Sequence, residues 1–189
     1  MAKQEDRDRA FMKCAFAIAE LSYAKRKKVG AIIVALNGGI IAEGVNGTPS
    51  GFSNECEDVE GIPHDLVEDN IKWWHCKRCF MTSKNKTDTF LAGLCREKST
   101  TKAECIHAES NAITKIARSN NSSVGATLYC TLTPCFECAK LIIQAGIVRV
   151  VYAEQYPYAG HTGQMRALGI ELLKKAKIPV DKLDGFTEY

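Results

Sequence analysis

The chain has 189 residues, of which 46% are hydrophobic and 25% charged, with a formal net charge of +3 and nine cysteines. Such a length is about one domain's worth with room for a core, and the composition is that of an ordinary globular protein. No apolar run is long enough for a membrane span, and so mild a charge argues against nucleic acid as a partner. The polar start, Met1-Ala2-Lys3-Gln4-Glu5-Asp6, does not read as a secretory signal. A reducing cytoplasm is therefore expected (the host's, if the source is viral), where cysteines argue for metal ligation rather than disulfides.

In chain order, Phe11, Ala15, Ile18 and Leu21 stand at helical spacing and predict an amphipathic helix over 5–24. The basic run Lys25-Arg26-Lys27-Lys28 leads into a strand-like stretch at 29–36. Asn37-Gly38-Gly39 turns the chain, and 40–45 returns as the second strand of a hairpin. Residues 48–105 are the least regular part, rich in charge and turn residues, and read as a Cys-rich insertion within a single domain spanning 1–189. A helix is expected over 107–119, a loop over 120–125, a strand over 126–132, a second helix over 135–145 closed by Gly146, and a strand over 147–153. The tail predicts a helix near 163–168 and a fifth strand near 169–173. Cys14 and Cys130 fall among apolar positions and read as small buried hydrophobes. Strands alternating with helices imply an α/β layered fold with a partly parallel sheet.

The chemistry concentrates in two runs, His107-Ala108-Glu109 and Pro134-Cys135-Phe136-Glu137-Cys138. A catalytic zinc takes three protein ligands and keeps a fourth position for water. His107, Cys135 and Cys138 supply one imidazole and two thiolates. Cys135 and Cys138, at i and i+3, share one face of a helix's first turn, where the partial positive charge of the helix terminus favours thiolates. Glu109 as a fourth ligand would close the site, so its expected work is proton transfer. Alone, a Cys-x-x-Cys pair is more often a structural knuckle or a redox pair, and a His-x-Glu means little. The conjunction, each part opening an expected helix, points to a catalytic rather than a structural zinc centre.

This H-x-E and P-C-x-x-C pattern resembles the signature of the cytidine and deoxycytidylate deaminase superfamily. The likeness extends to Val29-Gly30-Ala31, to the run from Gly44 to Gly51, to His107-Ala108-Glu109-Ser110-Asn111-Ala112-Ile113, and to the run from Cys138 to Ile147. In these the chain resembles the deoxycytidylate deaminases of the bacteriophage type, except that Val45 stands where the family commonly has an aromatic residue.

The resemblance implies a cytidine-deaminase-like three-layer domain, with a central mixed five-stranded sheet and helices on both faces. The implied reaction is hydrolysis of dCMP to dUMP and ammonia, supplying dUMP for dTMP synthesis. Water activated at a zinc ion held by His107, Cys135 and Cys138 would attack C4, with Glu109 protonating N3 and then serving the departing amine. Asn46 would bond the sugar hydroxyl, Tyr156 would stack on the cytosine, and Ala108 would line the pocket. Arg26 and Lys28 are candidates for the phosphate.

The family's usual homo-hexamer, activated by dCTP and inhibited by dTTP, implies an effector site near Gly44, Asn46, Gly47 and Thr48. Mg2+ would accompany the triphosphate. Phage relatives often carry a second, structural zinc. Here the thiols on offer are Cys76, Cys79 and Cys105 with either Cys56 or Cys95, and His64 and His75 are substitutes. The rival readings are a deaminase of free cytidine or of a tRNA adenosine, and a zinc-stabilised binding module without activity.

Overall fold

The computed structural model describes residues 3–63, 66–68, 74–76, 82–84, 94–155 and 160–186. These form two compact units, one of residues 1–56 and 104–189, the other of residues 57–103.

The larger unit begins with helix α1 (Gln4–Ala19) and the hairpin of β1 (Gly30–Val34) and β2 (Ile40–Val45). After the smaller unit come α2 (Ala108–Ile116), β8 (Thr127–Leu132), α3 (Phe136–Gln144), β9 (Arg149–Glu154), α4 (Gly160–Lys175) and β10 (Val180–Lys182). The five strands lie in the order β10-β9-β8-β1-β2. Strand β1 runs antiparallel to β2 and β8, whereas β8, β9 and β10 are mutually parallel, so the sheet is mixed. The parallel half is built by helical crossovers, as parallel strands require.

Alternation along the strands fills two cores. Ile32, Val34, Tyr129 and Val151 face α1, where Met12 and Ala15 meet them. Ala31, Ile33, Leu128, Cys130 and Val150 face Ala108 and Ala112 of α2, Ala139 and Ile142 of α3, and Leu173 of α4. The expected α/β sandwich, with helices on both faces of a five-stranded mixed sheet, is the fold observed.

On the α1 side a buried polar cluster ties the first helix to the sheet. Asp8 accepts hydrogen bonds from Tyr129 Oη at 2.7 Å, Gln4 at 2.9 Å and the Arg149 guanidinium at 2.8 and 2.9 Å. Burial alone would raise the Asp8 carboxyl, but these donors outweigh it and hold it below its ordinary value. Burial and the Asp8 charge together push the Tyr129 hydroxyl up.

Three expectations are corrected. Helix α1 ends at Ala19 rather than near residue 24, and Leu21, counted on its apolar face, is exposed, because Ser22 is drawn off into bonds with Asn46. Cys14 is exposed rather than buried, although Cys130 is buried as expected. The fifth strand is not at 169–173, which lies inside α4, but at Val180–Lys182. The Ala167-Leu168-Gly169-Ile170-Glu171-Leu172-Leu173 run puts Gly169 and Leu173 on one buried helical face, and the helix-forming residues around the glycine decide the outcome.

The smaller unit is all β among its described residues. Strands β3 (Glu57–Pro63) and β7 (Leu94–Thr101) pair antiparallel, and β4 (Leu66–Glu68), β5 (Trp74–Cys76) and β6 (Thr82–Ser83) form a three-stranded meander.

Candidate metal centre

The N-terminal end of β1 and the C-terminal ends of β2, β8 and β9 share one pole of the sheet, because β1 alone opposes its neighbours β2 and β8. Both helix N-termini that matter open there. Helix α3 follows β8 through Thr133 and Pro134, with Cys135 as its N-cap. Helix α2 has His107 as its N-cap, and its entry is pinned by a backbone bridge between Gly47 and Ile106, with N–H···O distances of 3.1 and 2.8 Å. Gly44 lets α2 lie directly on β2. A Cβ at that position would run into the Ala108 carbonyl and stand 2.5 Å from the Ala112 nitrogen.

Strand order and close packing thus bring together residues 28 positions apart. His107 Nδ1 lies 3.3 Å from both Cys135 Sγ and Cys138 Sγ, and the three ligand atoms all fall within 4.8 Å of one another. Around a tetrahedral zinc with ordinary bond lengths, a nitrogen–sulfur edge is about 3.5 Å and a sulfur–sulfur edge about 3.8 Å. The group therefore fits zinc in donor chemistry and spacing. Both thiols are buried while His107 is exposed, so the cluster opens on the imidazole side.

Beside it, in the first turn of α2, the Glu109 side chain is only 2% exposed. A hydrogen bond from Cys138 holds the Cys135 thiol far below its ordinary range, with His107 adding to the effect. The same bond, burial and the nearby Glu109 charge push Cys138 up. Metal binding requires both sulfurs as thiolates, so it would release protons from this pair. Ser110 Oγ stands 3.5 Å from Cys138 Sγ.

A family described as the cytidine and deoxycytidylate deaminase zinc-binding region matches residues 5–154, which include the whole cluster and most of the larger unit's elements. The chain belongs to that family. Among its relatives, the deoxycytidylate deaminase of Enterobacteria phage T4 is 36% identical over 182 residues, covering 92% of each chain. That of Homo sapiens is 35% identical over 142 residues, covering 75% of this chain and 61% of its own. A solved dCMP deaminase from cyanophage S-TIM5, in complex with dCMP and dUMP, superposes with a TM-score of 0.65 at 33% identity, covering 96% of this chain and 99% of that one. The likeness drawn from the two motifs holds along nearly the entire chain, and membership makes this protein a zinc-binding deaminase.

The loop between α1 and β1, which leads into the N-terminal end of β1 at the same pole of the sheet, borders an open cleft of about 830 Å3 lined by residues 20–28, among them Lys25, Arg26, Lys27 and Lys28. Asn46 holds this loop. Its Nδ2 donates to the Lys27 carbonyl at 2.9 Å, while its Oδ1 accepts from Val29 N–H and Ser22 Oγ, each at 2.8 Å. The expectation was a sugar contact, but three of the amide's four hydrogen-bonding capacities go to the loop, leaving one N–H. Lys28 donates to the Glu20 carbonyl at 3.1 Å, and Lys27 pairs with Glu154 at the end of β9 at 2.7 Å. On the other side, Asn111 of α2 donates to the Val45 carbonyl at 2.7 Å, so α2 and the loop grip the same end of β2.

Of the expected effector residues, Gly44 is a packing position inside β2, buried against α2. Gly47 is in the bridge to Ile106, and Thr48 Oγ1 donates to the Ser53 carbonyl at 2.7 Å. Of the thiols offered for a second zinc, Cys56 is buried and its carbonyl accepts from Cys105 Sγ at 3.2 Å. Cys76, His75 and Cys95 are described only as strand backbone, and Cys79, His64 and Tyr156 lie outside the described residues. Among the described residues one group of three metal-ligating side chains is gathered, that of His107, Cys135 and Cys138.

Sequence reading missed Ser22, Ser110, Asn111 and Glu154. Ser110 and Asn111 carried a signal, since they stand three and four residues after His107 and so on its side of α2. The other two carried none.

Proposed function

We propose that this enzyme hydrolyses dCMP to dUMP and ammonia, supplying dUMP for dTMP synthesis. The observation that carries the reading is a buried carboxylate, Glu109, beside a His-Cys-Cys cluster at two converging helix N-termini. Relatives named deoxycytidylate deaminase, and a solved relative bound to dCMP and dUMP, support the choice of substrate.

His107, Cys135 and Cys138 would hold the zinc, which when bound would supply a Lewis acid that lets water lose its proton near neutral pH. The cap of α3 stabilises the thiolates before any metal arrives. Glu109, fixed in the first turn of α2 and shielded from solvent, would take the proton of the attacking water on its carboxylate, deliver it to N3 of the cytosine, and then carry the proton of the newly added C4 hydroxyl to the departing amine. The Ala108 backbone, pressed against β2, forms part of the pocket wall. The basic loop holds the monophosphate through Arg26 and Lys28, with Asn46 fixing the loop and offering its remaining N–H to the sugar. Tyr156, just beyond β9, stacks on the base.

The same reading carries finer expectations. The enzyme assembles as a homo-hexamer in the cytoplasm, is activated by dCTP and inhibited by dTTP, each with Mg2+, and senses them around Asn46, Gly47 and Thr48. A second, structural zinc draws its ligands from Cys56, Cys105, Cys76, Cys79 and Cys95. Support for these comes from family resemblance.

The test is Glu109→Gln. It should keep the fold and the zinc while lowering turnover of dCMP by at least about a thousandfold, since the carboxylate serves more than one proton transfer. Loss of cytosine absorbance is followed with dCMP, CMP and cytidine, each with and without dCTP or dTTP. Preference for cytidine would overturn the choice of substrate, and a fully active Glu109→Gln would overturn the mechanism.

A further inference from the structure

Among its described residues helix α4 supplies no metal ligand, yet its middle lies against the turn that carries Cys135. A Cβ placed on Gly169 would stand 2.5 Å from the Pro134 carbonyl oxygen, 2.7 Å from the Cys135 carbonyl carbon and 2.9 Å from the Cys135 carbonyl oxygen. All three are backbone atoms, which cannot swing aside as the end of a flexible side chain does. The peptide is held from the other direction too, because the Cys135 carbonyl accepts the first bond of α3 from Ala139 N–H at 2.9 Å. Four residues along α4, on the same face, Leu173 is fully buried in the core that includes Ala139 and Ile142 of α3. Leu173 therefore sets where α4 sits along α3, and Gly169 sets how close it comes.

A glycine inside a helix costs stability relative to alanine, so its place nine residues into a helix of 16 residues calls for a reason other than local structure. We propose that Gly169 is a positioning residue of the metal centre: it lets α4 bear directly on the Pro134–Cys135 peptide, so that the seating of α4 fixes where the Cys135 sulfur stands. This rests on Cys135 being a ligand. Because Cys135 is the N-cap of α3, a displaced peptide moves both the sulfur and the helix terminus beneath it. By linkage, if α4 steadies the metal site, the metal must steady α4 by the same factor.

The experiment compares Gly169→Ala with the wild type and with Leu168→Ala, a neighbouring position at which the side chain is exposed. The enzymes are loaded with Co2+ for absorption spectroscopy and with Zn2+ for release to a chelator. Gly169→Ala is expected to change the cobalt ligand-field bands, to release zinc at least about tenfold faster, and to lower kcat by about a hundredfold, the scale of an ångström's misplacement. Leu168→Ala should match the wild type in all three.

A purely helical role predicts the opposite, a more stable protein with unaltered cobalt bands and zinc release, and that result overturns the proposal. Should Gly169→Ala fail to fold, amide exchange in the wild type decides. Removing zinc should deprotect residues 168–173, and unchanged protection there refutes the link. Cys135→Ser separates the two layers: if it retains zinc as firmly as the wild type, the reading of Cys135 as a ligand fails, whatever Gly169 does.

Discussion

Replacing Asn46 by alanine separates a residue that holds the basic loop from one that touches only substrate. The side chain serves three partners, and their surroundings set the cost of losing each. Val29 is buried, so its N–H loses an acceptor with no water to replace it, at about 1–3 kcal/mol. The Lys27 carbonyl, on a half-buried residue, regains a water and loses under about 1 kcal/mol. Ser22 Oγ keeps its second acceptor, the Asn46 carbonyl at 2.8 Å, and loses little. The sum is about 1–4 kcal/mol, or roughly 2–16 °C in Tm for a chain of this size. Urea unfolding of the zinc-loaded protein measures it. The freed loop should also raise KM for dCMP more than it lowers kcat, if Lys25–Lys28 border the phosphate. Asn46→Asp is the companion variant. It keeps the acceptor for Val29 but sets a charged oxygen against the Lys27 carbonyl, so it should not restore stability. Should Asn46→Ala unfold within about 0.5 kcal/mol of the wild type while kcat/KM collapses, the amide acts on substrate and the clamp is refuted.

Other variants probe the frame around the site. Asp8→Asn should cost about 1.5–3 kcal/mol at neutral pH, the usual worth of hydrogen bonds to a charged group, with Arg149 keeping Asp181 as a partner. Because the folded Asp8 carboxyl sits below its ordinary value, its contribution is complete above about pH 4 and is lost as the pH falls through the folded value. The difference in urea midpoint between the two proteins should therefore shrink on acidification, and a constant difference contradicts the assignment. Gly44→Ala should destabilise by at least about 1–3 kcal/mol, since α2 must lift from β2 to admit a methyl group; a neutral result in thermal unfolding would show that α2 has room to move. Cys138→Ser should lose zinc and turnover together, whereas Glu109→Gln loses turnover alone, as metal analysis beside the dCMP assay will tell.

The candidate metal centre was legible in the sequence because the constraints on its residues are local. Cys135 and Cys138 share a helical turn by spacing alone, and His107 and Glu109 open a helix together, so donor type and period identify a zinc site before any fold is known. The strands of the sheet announce themselves likewise, through apolar runs bounded by turn residues. Where the local signal is weak the reading fails. Strand β10 is three residues long and mostly exposed, with no apolar alternation, while the Leu-rich run before it suits either a strand or a helix until its burial is seen.

Tertiary structure alone decided what each side chain faces. Nothing in the neighbourhood of Asn46 tells that its amide will meet Ser22, Lys27 and Val29 rather than solvent or a sugar. Nor does the sequence tell that Gly44 is packed beneath α2, that Gly169 stands behind the Pro134–Cys135 peptide, or that Lys27 finds Glu154 across the chain. Spacing along one chain encodes which residues share a turn or a face. Contacts between elements depend on sheet order and on how closely backbones approach, and those follow from the packing of the whole core.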